Sequence, residues 1–431
     1  MSSNSRQAHS TSGFWRRSPA YVPSKIDIIY SGVGAQVGKP DSGRPSSSTL
    51  AQAAAAAVES TDAALPLAPP PVAGSEDETS QQQEELGTAN GIDTALNPGV
   101  IAADPHEQKF HALLSASNVD IEQLQKQSWK GIPSKHRSTA WCLLMGYFPL
   151  NAGRRELTIQ RKRKEYDDWV RQTFSRGEEA LDRTLWHQIC IDVPRTTPGS
   201  ALFQNERIQR SLERVLYCWA VRHPASGYVQ GINDLLTPFY YVFIEPHLLG
   251  TGDQETAAVD VGLVSGLADK DIGAVEADSF WCLTKLLDGI QDNYTHAQPG
   301  IQRQIIKMKE LVARIDGPLA AHMDSEGVEY IQFAFRWINC LLMREVRLSS
   351  TIRMWDTYLA EADGFSTFHI YVCAAFLLKW SKTIQQLDFQ QTLLFLQKPP
   401  TESWTGKDIE LLLSEAYMYK CLYHNSPKHY Q

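Results

Sequence analysis

Between residues 51 and 104 the chain carries nine acidic side chains, no Lys or Arg and no aromatic residue. That stretch limits where a fold can form. Its clusters of Ala, Pro, Ser and Gln (AQAAAAAVES, LPLAPPPVAG, SEDETSQQQEE) hold too little apolar area to offset the entropy lost on ordering the chain. Residues 1–104 therefore read as a disordered, low-complexity region. Within it FWRRSPAYVPSKIDIIY (14–30) stands apart, aromatic, basic and apolar by turns. It has the character of a short docking motif, or of a segment that packs back on the body.

From Pro105 to the end, 35 Lys/Arg face 38 Asp/Glu, a near balance without the basic excess of a nucleic-acid binder. The pattern here is helical almost throughout. ELTIQRKRKEYDDWVRQTF (156–174) places Leu157, Ile159, Tyr166, Trp169, Val170 and Phe174 near helical spacing, with its RKRK run (161–164) read as a solvated face. RIQRSLERVLYCWAV (207–221) repeats the arrangement through Ile208, Leu212, Val215, Leu216 and Trp219. Thr405, three residues before Asp408, fits a helix-capping arrangement ahead of the last apolar run. Alternating strand patterns, Asn-Gly hairpins and a fixed repeat period are absent, so residues 105–431 read as an all-α body, not a helical-repeat scaffold. One interruption is expected. LLGTGDQETAAVDVGLVSGLADKDIGAVEAD (248–278), acidic and Gly-rich, reads as a long surface loop.

The seven cysteines lie scattered among apolar stretches without paired spacing, as buried thiols of a reducing compartment would. Cys421, His424 and His429 could together supply metal ligands, but no second cluster completes a site and a frayed C-terminus is the plainer reading. Near-apolar runs such as LLTPFYYVFI (235–244) are too short to span a bilayer, so a cytoplasmic protein is expected.

No glycine-rich phosphate loop, His-Glu-x-x-His pair or Gly-x-Ser-x-Gly elbow occurs. Two loops remain. IDVPRT (191–196) holds Arg195 between Pro194 and Pro198, with Asp192 three residues upstream; SGYVQGINDL (226–235) sets Tyr228 and Gln230 between Gly227 and Gly231, ahead of Asn233 and Asp234. Each has a plain explanation. Arg195 and Asp192 could form a surface ion pair worth at most ~1 kcal/mol, and Gln230 and Asn233 could satisfy backbone groups at a helix start.

Together, however, ICIDVPRT and YVQGIN match the Ile-x-x-Asp-x-x-Arg and Tyr-x-Gln-Gly-x-Asn signatures of TBC-domain Rab GTPase-activating proteins, through Ile189, Asp192, Arg195, Tyr228, Gln230, Gly231 and Asn233. GIPSKHRSTAWCLLMG (131–146) resembles the opening of that domain, with Gly131, Pro133, Arg137 and Trp141 in place. FRWINCLLMREV and TIRMWDTYL (335–359) resemble its later half through Trp337, Arg344, Glu345, Arg353, Trp355 and Asp356. The resemblance covers roughly 125–420, and LLDGIQDNYTHAQPGIQ (286–302) is similar to the Golgi-associated subgroup.

The resemblance implies an all-α TBC domain of two helical subdomains that accelerates GTP hydrolysis on a Rab, and so regulates vesicle traffic. It makes Arg195 an arginine finger and Gln230 a glutamine finger supplied in trans. It implies no cofactor of the chain's own, since GTP and Mg²⁺ belong to the partner GTPase. Asp192, expected to orient Arg195, forms a supporting and Rab-facing set with Thr196, Tyr228, Gly231, Asn233 and Asp234. Arg137 and Trp141, through stacking, and Arg353, Trp355 and Asp356 are expected to be structural. The N-terminal region would contact adaptors or kinases, and membrane association, at the Golgi by the subgroup resemblance, would come only through partners. A catalytically silent Rab-binding or scaffold module is the alternative.

Overall fold

The computed structural model describes residues 104–248 and 260–424. The expected low-complexity region through residue 103, with its 14–30 motif, lies outside them, as does His429. Among the described residues sixteen α-helices follow one another: α1 Pro105–Leu114, α2 Ile121–Ser128, α3 Ser134–Leu144, α4 Ala152–Phe174, α5 Arg183–Asp192, α6 Glu206–Arg222, α7 Ile232–Leu248, α8 Asp269–Gly289, α9 Pro299–Ile315, α10 Gly317–Ser325, α11 Ile331–Asn339, α12 Leu348–Ala360, α13 His369–Leu378, α14 Ser381–Ile384, α15 Phe389–Gln397 and α16 Gly406–Tyr423. Among the described residues there is no strand, only an isolated bridge between Asn118 and Asn151. The fold is all-α. None of these helices is long and apolar enough to cross a membrane.

The helices form two groups. In the first, α8 packs against α4, α6 and α7; in the second, α9 packs against α10, α11 and α13, and α13 against α16. Helix α12 lies against α2, α3 and α7 and ties the groups into one continuous core. Amphipathic spacing accounts for α6, whose Ile208, Leu212, Val215, Leu216 and Trp219 are all buried, as expected. Asn205 caps it by accepting from Arg207 N at 3.0 Å. At α16, Thr405 N donates to the Asp408 carboxylate at 2.8 Å, the capping arrangement read from sequence.

Helix α4 departs from its expected face. Leu157 is 73% exposed, and Tyr166 is its buried residue. Part of the RKRK run, read as solvated, instead holds this helix to α8. Arg163 makes two bonds to Asp278 (3.0 and 2.6 Å), and the Lys162 ammonium lies 3.5 Å over the Trp281 ring. Arg161 and Lys164 remain exposed.

The stretch 248–278 is not one long loop. Leu248 ends α7, residues 249–259 lie outside the described residues, Val261–Gly266 forms a 3₁₀ turn, and α8 begins at Asp269. The acids misled the reading because they serve the interior. Glu276 and Asp278 are buried on α8, where Glu276 accepts from Arg214 and Ser211, and Asp278 from Arg163 and Tyr147. Gly273 sits in this helix with open space around it, and Ile272, Val275, Phe280 and Leu283 carry the helical apolar period.

Candidate functional site

Two of the residues expected to be structural, Arg137 and Trp141, meet at the carboxylate of a third, Asp356. Asp356 on α12, fully buried, accepts from Ile132 N at 2.9 Å, Trp141 Nε1 at 2.7 Å and Arg137 Nε at 3.2 Å. Arg137 and Trp141 are therefore joined through a shared acceptor instead of stacking on each other, and Trp141 stacks on Trp355 with ring centroids 6.0 Å apart. Arg353 donates to the Thr357 hydroxyl at 2.9 Å and lies against Gly131, whose φ of +107° and lack of a Cβ let the guanidinium approach. Burial raises the Asp356 carboxyl above its usual range, against the opposing charge of Arg137. This hub anchors α3 to α12, and α7, which carries the second loop, packs on both.

The first loop leaves α5 at Asp192 and turns through the 3₁₀ segment Val193–Arg195. Pro194 supplies a helical φ inside that turn, and Thr197 then takes a left-handed φ of 47°. The Gln204 amide holds the Pro194 carbonyl at 3.3 Å. The second loop follows α6, turning at Gly227 and Gly231, both at positive φ (62° and 109°), before α7 starts at Ile232. Gln230 thus lies two residues ahead of that helix.

Four side chains lock the loops together. Tyr228 Oη donates to Asp192 Oδ2 at 3.0 Å, and Asn233 Nδ2 donates to Thr196 Oγ1 at 2.8 Å. The Thr196 hydroxyl donates in turn to the Asp192 carbonyl at 2.9 Å, and Asn233 Oδ1 accepts from Gly231 N at 2.9 Å. Asp234, next along, accepts from Arg344 Nε at 3.0 Å and from the Cys340 thiol at 3.6 Å. Asp192, Thr196, Tyr228, Gly231, Asn233 and Asp234 are all buried. The side chains of the expected supporting set therefore lie buried beneath the two loops.

Arg195 and Gln230 are the opposite case: both are exposed. The plain alternative, a surface ion pair between Asp192 and Arg195, is absent among the described residues, because the Asp192 carboxylate is turned inward to Tyr228. The arginine still acts on it at longer range. Burial raises the Asp192 carboxyl, while the Tyr228 hydrogen bond and then the Arg195 charge oppose the shift. Burial, followed by the negative charge of Asp192, pushes the Tyr228 hydroxyl well above its ordinary range, so it stays a donor. The arrangement is a rigid, buried hydrogen-bond frame that presents one arginine and one carboxamide, uncommitted, on neighbouring turns.

One contributor escaped sequence reasoning. Asn339, at the end of α11, donates through Nδ2 to the Gln230 carbonyl at 3.0 Å. Its one legible signal is an amide at the close of the apolar run FAFRWIN; nothing local points it at a loop 109 residues earlier.

The Rab-GTPase-TBC domain family matches residues 134–385 of the chain. The GTPase-activating protein gyp1 of Schizosaccharomyces pombe is 54% identical over 325 residues, covering 75% of this chain and 62% of that protein. Human TBC1 domain family member 22B is 50% identical over 325 residues, covering 75% and 63% respectively. The chain thus spans just under two thirds of the length of these curated relatives. The crystal structure of the Ypt/Rab-GAP domain of Gyp1p aligns with a TM-score of 0.69 at 50% identity, over 74% of this chain and 98% of that domain. The Chlamydomonas flagellar RabGAP TBC domain shares the fold at 16% identity, with a TM-score of 0.51 over 72% of this chain and 89% of that one.

Proposed function

Because the chain belongs to the Rab-GTPase-TBC domain family, we propose that it accelerates GTP hydrolysis on a Rab-class small GTPase, with Arg195 and Gln230 supplied in trans. One observation carries this reading: the two side chains free at the surface stand on loops cross-linked from beneath by Asp192–Tyr228 and Asn233–Thr196. The nucleotide and its Mg²⁺ are carried by the partner, in keeping with a chain that has no phosphate loop.

The chemistry needs two things. Negative charge on the transferred phosphoryl group must be stabilised, and the attacking water must be held in line. A guanidinium entering the site serves the first need, worth about 10³–10⁵ in rate for GTPase activators generally, or about 4–7 kcal/mol of barrier. A carboxamide serves the second, since it can accept from the water and donate to the phosphate. The buried frame fixes both loops before docking, so little ordering entropy is lost when the partner arrives. Among the described residues Arg195 has no ion pair to break on entry. Regulation of vesicle traffic follows from the substrate class, and the similarity of 286–302 to a Golgi-associated subgroup supports that compartment, reached through partners.

The test is phosphate release from a panel of GTP-loaded Rabs with the full chain, wild type against Arg195→Ala and Gln230→Ala. Stimulation of one or a few Rabs is expected, lost by orders of magnitude in each variant without loss of fold. A Rab lacking its own switch glutamine is expected to remain partly responsive to the wild type. Binding without stimulation across a correctly loaded panel would instead establish a silent Rab-binding module.

A further inference from the structure

The peptide plane between Gln230 and Gly231 is held at both of its polar ends by side chains. Its N–H, on Gly231, donates to Asn233 Oδ1 at 2.9 Å, and its C=O, on Gln230, accepts from Asn339 Nδ2 at 3.0 Å. Because the peptide unit is rigid and planar, two such bonds fix its rotation, and with it the ψ angle of Gln230. Asn233 stands just ahead in sequence, in the first turn of α7. Asn339 arrives from α11, and its bond ties the Gln230 main chain to the second group of helices.

Asn339 is itself firmly placed. Its side chain fills the space beside Gly231, where a Cβ would stand 2.4 Å from Nδ2. The Tyr294 hydroxyl donates to its main-chain oxygen at 2.7 Å, and the following residue, Cys340, donates to Asp234. This placement is costly. Asn339 is 7% exposed, yet its Oδ1 has no hydrogen-bond partner among the described residues. Leu341 and Leu342, in the turn just after it, are held at left-handed φ values of 49° and 60°. An aliphatic residue would serve a core better than a half-satisfied amide beside a strained turn, and departures of this kind gather where function requires them.

We propose that Asn339 is a positioning residue for Gln230: its amide sets the direction in which the glutamine side chain leaves the loop. The role rests on Gln230 holding the attacking water, as proposed above. Asn339 touches neither nucleotide nor water and acts only through that residue.

The test is a double-mutant cycle on the full chain with a responsive Rab, reading kcat and KM separately. Asn339→Ala is expected to lower kcat by about 10- to 100-fold, the range for a catalytic group displaced by roughly 1 Å, with KM for the Rab unchanged. In the Gln230→Ala background the same substitution is expected to cost nothing further, since the group it positions is already gone. Asn339→Leu keeps close to the side-chain volume, removes the donor, and should repeat the loss if the alanine variant is poorly folded. Wild-type kcat in either folded variant, an equal additional loss on top of Gln230→Ala, or a raised KM at unchanged kcat overturns the inference, as does unfolding of both variants. A wild-type chain that stimulates no Rab, or a Gln230→Ala chain of full activity, removes the underlying reading first and this one with it.

Discussion

Replacing Tyr228 by Phe removes one oxygen and leaves the ring in place, so it isolates the bond that fastens the two loops. In the wild type that hydroxyl is the side-chain donor to Asp192, a carboxylate only 6% exposed. A hydrogen bond to a charged acceptor is worth about 1.5–3 kcal/mol, and leaving the buried acceptor unmet places the cost toward the upper half of that range. The loss should depend on pH with a definite sign. The folded-state pKa of Asp192 is already raised by burial, against the opposing Tyr228 bond. Without the hydroxyl it rises further, so the folded variant holds a proton more tightly than the folded wild type. Its stability deficit is therefore full above the raised pKa and shrinks as pH falls through it. Urea unfolding of both proteins at about pH 7.5 and about pH 5 measures this directly. Stimulated hydrolysis should fall as well, by up to about 10²-fold, because the Arg195 turn and the Gln230 loop lose one of their two cross-ties. A deficit under about 0.5 kcal/mol at the higher pH, or one that grows on acidification, would refute the reasoning.

Asp356→Ala should destabilise the protein by about 3–5 kcal/mol, because it leaves the Arg137 guanidinium, the Trp141 indole N–H and the Ile132 N–H without their common acceptor; a chemical denaturation midpoint close to wild type would count against the hub. His369, fully buried between Tyr358 Oη at 2.9 Å and the Trp337 carbonyl at 3.1 Å, has its pKa lowered by burial to about 4, against the Trp337 bond. Its contribution to stability is complete above its ordinary value of 6.5 and is lost as pH falls toward about 4. That amounts to about 2 kcal/mol by about pH 5, and His369→Gln should flatten the stability profile in that window.

Much of the site could be read from sequence because it is local. Asp192, Pro194 and Arg195 sit within one turn, and Tyr228, Gln230, Gly231 and Asn233 within another, so their spacing is preserved in the text of the chain. Pairing across the chain is not. That Asp192 would turn away from the arginine three residues on and accept from Tyr228 depends on how α5, α6 and α7 pack. Nor does the sequence show that Asn339 reaches Gln230 across 109 residues, beside a turn in which two leucines take backbone angles that leucine seldom adopts. The acids of α8 were misread for a related reason. Taken alone, Glu276 and Asp278 look solvated; their partners Arg214 and Arg163 stand on α6 and α4, 62 and 115 residues before them. The same separation hid the use of Lys162 and Arg163 within the RKRK run.

The Asp356 hub has a consequence for how the protein comes into being. Its donors Ile132 and Trp141 precede it by 224 and 215 residues, and Trp129 and Glu361 are bonded across 232. A ribosome adding about 5–20 residues per second takes roughly 10–45 s to cover that distance. Throughout that interval α2 and α3 are made but unfastened, with an arginine and an indole N–H still waiting for their acceptor. The emergence of α12 gives α2 a packing partner in the core and gives α3, which already has α7 to pack on, its buried acceptor. A nascent chain halted before residue 356 would hold a nearly complete first group of helices with its keystone missing.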